Sequence, residues 1–416
     1  MKRELIIIFL VSFFISCSKK DDTLTFWAMG VEGENVIKLT TEFERQYKIK
    51  VKVQQIPWSA AHEKLITAFV SNTLPDVFQL GNTWIPEFVA LNAIISLDSL
   101  CEKNNFDLND FFDGILESNK IDGNLYGIPW YVDTRVLFYR KDIMEKLGRK
   151  NPPKTWEELY QLSKLIHEKT NQYAIYFPTN EWVPLIVLAL QNKAQLLSDN
   201  FTEPAFTCSN FVQAFNFLAR FYHENLSPSN ITEVTNIYQA FEEGYITMYI
   251  TGPWNISEFK KRIKREIQNS WMTAPLPSPD SSYPGVSLAG GASLVINSKS
   301  RKKDLAFKLV EFLSRPEIQI KFYNLISALP SRRSAWINSN LVNDKYLQPF
   351  RIQLEKTQAM PKIAEWENIM ISRIQKYVEE VAMKKVTVLE ACDNLNNETR
   401  KLLRKRKELV SQGLLK

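Results

Sequence analysis

The chain has 416 residues, 45% of them hydrophobic, and carries 52 basic and 46 acidic side chains, for a formal net charge of +6. At about 150 residues per domain, this length predicts two or three domains, each long enough for its own core. The composition excludes collagen-like, disordered and disulfide-scaffold chains, and so mild a basic excess gives no reason to expect a nucleic-acid partner.

The N-terminal segment is typical of an export signal followed by a tether. A basic start precedes an apolar run over residues 5–15, which is shorter than the roughly 20 residues needed to span a bilayer core. The run ends in Phe14-Ile15-Ser16-Cys17, which is similar to a bacterial lipobox. We expect a signal peptide over residues 1–16, lipid on Cys17 and a polar tether over residues 17–22. The alternative is a secretory signal with an incidental cysteine.

The folded body is predicted to start near Thr23 with a strand over residues 23–28. Val36, Leu39 and Phe43 then recur at helical spacing, and alternating apolar residues predict a second strand from residue 49. Strand, helix and strand within about 30 residues form a βαβ unit, which implies parallel pairing in a sheet covered by helices.

A second helix is predicted over residues 61–70, followed by a buried strand over residues 74–80. This strand ends in Gly81-Asn82-Thr83-Trp84. Because ligands of open α/β sheets bind at the carboxyl ends of strands, this tetrad is a candidate binding site.

Local signals also predict later elements. Asp122-Gly123 is typical of a tight hairpin turn. Thr155 with Glu158, and Thr387 with Glu390, predict capping boxes that open helices. Apolar residues three and four apart predict helices over residues 304–314, 316–325 and most of 363–403.

Motifs for metal binding and for common catalytic chemistry are missing from the sequence. Its histidines, at His62, His167 and His223, are each followed by glutamate, but none completes H-E-x-x-H. Walker, dinucleotide-binding and G-x-S-x-G motifs are also missing. We therefore expect no metal and no cofactor. Past Cys17, the cysteines at 101, 208 and 392 form no C-x-x-C pair, so at most one disulfide is possible.

Two charged groupings keep other readings open. The acidic pairs Glu242-Glu243 and Glu379-Glu380 could serve a glycosidase, which needs two carboxyl groups at a defined separation. Neighbouring residues on one helix point apart, so this reading is the less favoured one. The basic cluster over residues 260–265 is interpreted as a solvated helix face.

Several tryptophans stand beside Pro or Gly, or at predicted strand ends, instead of inside periodic apolar runs. These are Trp58, Trp84, Trp130 and Trp254. Such a residue is either a packing anchor or a ligand platform. Sugar rings offer apolar faces to aromatic side chains and hydroxyls to polar ones, and both residue types are interleaved near the predicted site.

Six sequence blocks, in the same order, resemble the extracellular solute-binding proteins of ATP-driven sugar importers of the maltose, trehalose and multiple-sugar group. The blocks are Phe26-Trp27-Ala28-Met29-Gly30 with Glu32; Pro75-Asp76-Val77-Phe78-Gln79-Leu80 with Trp84; Gly127-Ile128-Pro129 to Asp133-Thr134-Arg135 with Leu137-Phe138-Tyr139; Pro153 with Thr155-Trp156-Glu157-Glu158-Leu159; Gly252-Pro253-Trp254; and Gly290-Gly291 with Ala306-Phe307 and Glu311-Phe312-Leu313. The similarity covers nearly all of the chain that follows the predicted signal peptide.

The resemblance implies an α/β, two-lobed periplasmic-binding-protein fold of type II, like maltose-binding protein, with a ligand cleft between lobes. Lobe 1 would contain residues 23–131 and 293–328, and lobe 2 residues 132–292 and 329–416. Three hinge crossings would lie near residues 131–135, 288–292 and 327–333.

The same resemblance implies a non-enzymatic protein that captures a carbohydrate by lobe closure and delivers it to the transmembrane subunits of an ATP-binding-cassette permease. We expect an exported monomer, held at the cell envelope by lipid on Cys17, with no nucleic-acid partner. The alternatives are a surface glycoside-processing enzyme, or a sensor or adhesin that uses the same clamp.

Carried over residue by residue, the resemblance implies ligand contacts in the loops after the first two strands, in the turn over residues 82–84 and at the first hinge crossing. Further contacts are implied directly after Gly252-Pro253 and at the Gly290-Gly291 turn. The residues are Glu32, Trp58, His62, Asn82, Thr83, Trp84, Tyr131, Asp133, Trp254, Gly290 and Gly291. For Asp133 the alternative role is a hinge cap, and for Trp254 it is core packing. Glu32, Asn82 and His62 could be solvated polar residues.

Other positions limit the transfer of a particular sugar. Some relatives that bind α-linked disaccharides carry an acid, an aromatic residue and an arginine where Gly81, Ala292 and Met360 stand here. The sugar is therefore left open, from monosaccharides to β-linked disaccharides and polyols. Arg135 and Arg332 could clamp sugar hydroxyls or pair with surface acids, and the second role is favoured.

Overall fold

The structure, a computed structural model, describes residues 23–337 and 339–415. The predicted signal peptide, the tether and the lipidation site Cys17 lie outside the described residues. Within the described chain, none of the helices combines the length and the apolar character that crossing a membrane requires.

The strands are short and scattered along the chain. They are β1 (Leu24–Met29), β2 (Val51–Ile56), β3 (Val77–Gly81), β4 (Lys120–Ile121), β5 (Asn124–Leu125), β6 (Ile128–Asp133), β7 (Val136–Arg140), β8 (Tyr173–Tyr176), β9 (Ile246–Thr251), β10 (Trp271–Ala274), β11 (Ser287–Leu288), β12 (Gly290–Ile296), β13 (Leu329–Pro330) and β14 (Thr357–Gln358).

Helices connect the strands and make up most of the C-terminal part. They are α1 (Gly30–Tyr47), α2 (Trp58–Val70), α3 (Ile85–Ala90), α4 (Asp98–Lys103), α5 (Asp113–Glu117), α6 (Lys141–Lys146), α7 (Trp156–Thr170), α8 (Val183–Gln191), α9 (Ser209–His223), α10 (Ile237–Glu242), α11 (Trp254–Arg262), α12 (Lys303–Leu313), α13 (Pro316–Ile326), α14 (Ser339–Val342), α15 (Gln348–Leu354), α16 (Trp366–Ile369), α17 (Gln375–Ala382) and α18 (Val388–Ser411). A 3-10 turn occupies Asn82–Trp84, and a π-helical segment, Met370–Ile374, joins α16 to α17.

The larger sheet has six strands in the order β13-β6-β12-β3-β1-β2. β1 is parallel to both β2 and β3, so the predicted βαβ unit is confirmed. Val36, Leu39 and Phe43 are the buried face of α1, as their spacing predicted. β12, from late in the chain, is antiparallel to both β3 and β6.

The smaller sheet has four strands in the order β10-β7-β9-β8. β7 is antiparallel to β9 and β10, whereas β8 and β9 are parallel. Helices α8, α9, α17 and α18 contribute to a large core beside this sheet, with Trp366 and Leu395 fully buried in it. Separate apolar clusters centred on Phe26 and on Phe78 pack around the larger sheet.

The chain passes between the two sheets by short connections that are hydrogen-bonded to each other. Only Thr134 and Arg135 separate β6 from β7. The Thr134 hydroxyl donates to the carbonyl of Leu288 at 3.0 Å. The Arg135 N–H donates to the Ser287 hydroxyl at 3.1 Å, and that hydroxyl donates to the Arg135 carbonyl at 3.2 Å. Residues 134–135 are thus hydrogen-bonded to residues 287–288, which lie far from them in sequence.

Local turn chemistry agrees with most of the predicted signals. Asp122 and Gly123 both have positive φ, at 49° and 81°, and close the hairpin of β4 and β5. The Thr387–Glu390 capping box is complete at the start of α18. At α7 the Thr155 hydroxyl accepts from the Glu158 N–H, but the Glu158 carboxylate accepts from Lys154 instead of closing the box.

For Trp130 the sequence left two roles open, a packing anchor or a ligand platform, and the structure shows a packing anchor. Trp130 lies in β6, is fully buried, and stacks on Phe322 with ring centroids 4.6 Å apart. The sequence pattern could not decide between the two roles because β6 is apolar on both faces, and Pro129 and Gly127 beside it are typical of loops.

Gln319 connects β13 to β6 and should be needed for stability. Its buried side chain donates to Trp130 and Ser331 and accepts from the N–H groups of Ser331 and Arg332. In Gln319→Leu these two N–H groups lose their partner, and we expect the free energy of unfolding to fall by about 2–4 kcal/mol. Urea unfolding followed by circular dichroism measures the change.

The control for this variant is Gln161→Leu on the exposed face of α7, where the amide contacts only Glu157 in the preceding turn. We expect it to change stability by less than about 0.5 kcal/mol. Equal effects of the two substitutions would contradict the role of Gln319.

Candidate ligand-binding cavity

A cavity of about 610 Å³ lies between the two sheets, beside the short connections that join them. This volume is within the range of small-molecule binding sites. Its walls combine five aromatic side chains with three charged ones, which are Trp58, Trp84, Tyr131, Trp182 and Trp254 with Glu32, Asp133 and Arg135. Aromatic faces and polar groups therefore converge on one space.

Glu32 is fixed at one end of the cavity by hydrogen bonds. It lies in the first turn of α1 instead of the predicted loop, because β1 continues into α1 without a connection. Its carboxylate accepts from the Tyr131 hydroxyl at 2.8 Å and from the Trp58 indole N–H at 3.3 Å. Tyr131 in turn accepts from Gln79 at 3.1 Å. Burial, and then the Glu32 carboxylate, raise the pKa of Tyr131 well above its ordinary value, so its hydroxyl remains a donor.

Gly30 makes this arrangement possible. Its φ is +47°, and a Cβ there would lie 2.7 Å from Cδ1 of Trp58. Glycine permits both the backbone conformation and the close approach of the indole. Trp58 begins α2 and is not in a loop as predicted.

Asn82, Thr83 and Trp84 form the 3-10 turn at the carboxyl end of β3, where the sequence predicted a site, and all three line the cavity. The Asn82 carbonyl oxygen accepts from the Ser293 hydroxyl at 3.0 Å. Its buried Nδ2 has no hydrogen-bond partner within the described chain. This donor is shielded from solvent, so it is an unpaired polar atom within the cavity wall.

His62 is not among the residues that line the cavity. It lies in α2, where its Nε2 is 2.6 Å from the Glu87 carboxylate and its ring meets Trp84 edge to face at 5.2 Å. The hydrogen bond with Glu87 raises the pKa of His62. The residue thus supports Trp84 from behind, and the predicted direct contact is not what the geometry indicates.

Asp133, Arg135 and Trp254 form a second polar and aromatic group. Nη1 of Arg135 is 2.8 Å from Oδ1 of Asp133, and its guanidinium carbon is 4.7 Å from the centre of the Trp254 ring. Arg135 thus pairs with an acid as predicted, but the pair lines the cavity and the Arg135 side chain is only 14% exposed. Trp254 is 44% exposed, so it is not a core residue.

Glycines allow close packing around this second group. Trp254 begins α11, and its ring lies so close to Gly252 that any side chain there would overlap it. Gly290 and Gly291 belong to β12 and not to a turn as predicted. Gly291 has φ +119°, and a Cβ there would lie 2.8 Å from Cα of Val132. Glycine is needed here because β6 approaches closely.

Sequence reasoning missed Trp182, which lines the cavity immediately before α8. The signal that singled out Trp254, a directly adjacent proline, does not reach Trp182, because Pro184 stands two residues after it. Its neighbour Glu181 has a raised pKa, chiefly because the surrounding protein desolvates it, and the Arg135 cation partly offsets this effect. Gly81 and Met360 also line the cavity, whereas Ala292 is buried in β12, opposite Gly81 of β3 and Tyr131 of β6.

Other charged and sulfur-containing groups lie elsewhere. Arg332 was predicted to pair with a surface acid, but it is buried between Phe106 and Phe111, at 4.7 and 4.6 Å, beside Asp110. In the basic cluster, Lys260 pairs with Asp344, Lys264 with Glu242, and both Lys261 and Arg262 with Glu258. The three cysteines of the described chain are free thiols, and burial raises the pKa of Cys101 and Cys392 to about 12. No cluster of His, Cys, Asp or Glu in residues 23–337 and 339–415 could hold a metal ion.

The sequence matches the family model of bacterial extracellular solute-binding proteins over residues 30–320. The chain belongs to this family. It is 26% identical to the diacetylchitobiose-binding protein DasA of Streptomyces coelicolor, over 83% of this chain and 81% of DasA. It is 23% identical to the galactooligosaccharide-binding protein of Bacillus subtilis, over 85% and 83% of the two chains.

A comparison with solved structures gives the same fold. The sugar-binding protein MalE of Xanthomonas citri superposes with a TM-score of 0.90 and 41% identity, over 94% of this chain and 99% of MalE. The GacH receptor of Streptomyces glaucescens superposes with a TM-score of 0.78 and 23% identity, over 92% of this chain and 98% of the receptor. The predicted α/β, maltose-binding-protein-like fold is confirmed, and the family consists of binding proteins.

The contact between His62 and Glu87 predicts a measurable pKa. We expect the pKa of His62, followed by NMR, to lie above its usual range and to fall in Glu87→Gln, which removes the charged acceptor. Because the pKa is raised in the folded state, the stabilisation from this pair is complete at low pH and is lost as pH rises through the His62 pKa.

Glu63→Gln is the control, since Glu63 follows His62 in sequence but has no hydrogen bond to it. If both glutamine variants shift the His62 titration equally, the assignment to Glu87 fails.

Proposed function

We propose that this protein is the substrate-binding component of an ATP-binding-cassette importer, which captures a mono- or oligosaccharide in the cavity and delivers it to the permease. The observation that carries the proposal is the meeting of aromatic faces with two carboxylates and a guanidinium in one cavity between two sheets. Aromatic rings suit the apolar faces of a sugar, and the polar groups suit its hydroxyls. The names of DasA, the galactooligosaccharide-binding protein and MalE support a carbohydrate.

The proposed ligand contacts come from both sides of the cavity. Glu32, Trp58, Asn82, Thr83 and Trp84 follow strands of the larger sheet. Trp254 follows β9 of the smaller sheet, while Tyr131, Asp133, Gly290 and Gly291 lie next to the connections. Lobe limits at residues 23–131 with 293–328, and 132–292 with 329–416, remain our proposal, with the hinges at the three predicted crossings.

We propose closure of the lobes around the sugar as the step that signals loading. A ligand that touches both walls binds the closed form better than the open form and so shifts the population toward it. α16, which belongs to the second lobe in this scheme, packs against the Asn82–Trp84 turn. That contact would be made and broken by the proposed motion.

Binding without catalysis is part of the proposal. The acidic pairs that could have served a glycosidase do not line the cavity, and Glu242 is paired with Lys264. The two carboxylates that do line it, Glu32 and Asp133, are engaged by Tyr131, Trp58 and Arg135. Acceptors held in this way orient a ligand.

The first test is a panel of mono- and disaccharides, with amino acids and phosphates as comparison, in thermal-shift and calorimetric measurements on the purified protein. We expect a sugar to raise the melting temperature and bind saturably, with no new product on chromatography. If only ligands of another class raise the melting temperature, the proposal that the ligand is a carbohydrate fails. Formation of a product would contradict the non-enzymatic role.

Trp254 provides the mutational test. We expect Trp254→Ala to weaken binding of the best sugar roughly tenfold or more, because the stacking face is lost. Trp254→Phe keeps an aromatic face and should retain most of the affinity. Unchanged affinity in Trp254→Ala, with the protein folded, would remove Trp254 from the site.

Anchoring at the cell envelope through Cys17 is also proposed, on the similarity of residues 14–17 to a lipobox. Cells fed a labelled fatty acid should label the wild-type protein and not Cys17→Ser. Cys208→Ser, at a partly exposed cysteine of the folded body, is the control and should stay labelled. If Cys17→Ser keeps the label, the lipid is attached at another residue and the assignment to Cys17 fails.

A further inference from the structure

Arg135 is held in the cavity wall from three directions. Its backbone N–H and carbonyl both bond to the Ser287 hydroxyl. Its guanidinium pairs with Asp133 at 2.8 Å and lies over the Trp254 ring at 4.7 Å. The side chain is only 14% exposed. Its position is therefore fixed before any ligand arrives.

Most of the hydrogen-bonding capacity of this guanidinium is unused. A guanidinium carries several N–H donors in a planar fork. Within the described chain, Asp133 is the one side chain or carbonyl to which the Arg135 guanidinium donates. Donors that are largely shielded from solvent and unpaired are costly, so a ligand that pairs with them gains affinity. Arg332 differs in this respect, since its guanidinium also donates to the carbonyls of Ser314 and Asp107.

We infer that Arg135 is a specificity-determining residue, whose guanidinium donates to neighbouring hydroxyl oxygens of the carbohydrate that packs against Trp254. This inference rests on the proposed function and assigns recognition of particular sugar hydroxyls to the Arg135 guanidinium. Asp133 and Trp254 position the fork, so that a sugar with the matching hydroxyls binds and one that lacks them is rejected. A site built to hydrogen-bond a hydroxyl rejects the analogue without it far better than an apolar pocket does.

The charges around Arg135 favour neutral hydroxyls over an anionic group as its partner. Glu32 and Asp133 line the same cavity, and Glu181 lies close enough for its pKa to respond to Arg135. Among the described residues that line the cavity, Arg135 carries the positive charge alone. A carboxylated or sulfated sugar would meet an excess of like charge, whereas hydroxyl oxygens would not.

Arg262 is a matched control because it has the same two kinds of partner outside the cavity. Its guanidinium pairs with Glu258 at 2.6 Å and lies over Tyr238 at 4.9 Å, on the exposed side of α11. A general effect of losing an arginine stacked on an aromatic ring would appear in Arg262→Gln as well. An effect on recognition should be confined to Arg135.

The experiment measures dissociation constants by calorimetry for the full-length protein, with maltose, galactobiose and diacetylchitobiose as probes. The tightest binder is then compared with its monodeoxy derivatives. We expect one or two of these derivatives to bind wild type about 10- to 100-fold more weakly, the range for loss of a hydrogen bond to a charged group. In Arg135→Gln that discrimination should disappear, while Arg262→Gln should keep it.

Arg135→Lys supplies a second variant in case the glutamine variant does not fold. It keeps the charge and loses the planar fork, so we expect binding with reduced discrimination. Equal weakening of the parent sugar and all its derivatives, or tighter binding of all of them because Arg135 had blocked Trp254, would overturn the inference. If none of the three sugars, nor any carbohydrate of the wider panel, binds wild type, the proposed function fails before Arg135 is tested.

Discussion

The cavity depends on the pairing of β12 with both β3 and β6. β12 is drawn from late in the chain, yet it lies in the middle of the larger sheet, antiparallel to each neighbour. In this register Ala292 lies opposite both Gly81 and Tyr131. The turn after β3, the end of β6 and the start of β12 thereby meet at one edge, although more than 200 residues separate Gly81 from Gly290. Without this pairing the site would have no common wall.

Around that edge, nearly every polar group is bound to another, and this determines what the cavity offers. Gln79, Tyr131, Glu32 and Trp58 form one continuous set of hydrogen bonds. Hydrogen-bonding capacity that faces the cavity is left unused on the Arg135 guanidinium. Buried polar groups that are satisfied give a rigid frame, and those that are not become points of recognition. The same residues thus account for a preformed site and for selectivity in it.

Much of the fold could be predicted from the sequence because its signals are local. Helical spacing around Val36, Leu39 and Phe43 specified the first βαβ unit, and Asp122-Gly123 specified a hairpin. The site at Asn82–Trp84 could be predicted because ligands of open α/β sheets bind at the carboxyl ends of strands. The environment of Arg135 could not be predicted, since it depends on Ser287 and Trp254, which reach it only through the tertiary fold. His62 was misplaced for the same reason, because its partner Glu87 lies in a different helix.

In the proposed mechanism, one ligand contacts the cavity walls of both sheets at the same time. Small-angle X-ray scattering of the purified protein, with and without a saturating sugar, tests this most directly. Closure brings the lobes together, so the account predicts a smaller radius of gyration in the presence of sugar and no change with a sugar that does not bind. A saturating sugar that binds and leaves the scattering curve unchanged would contradict the claim.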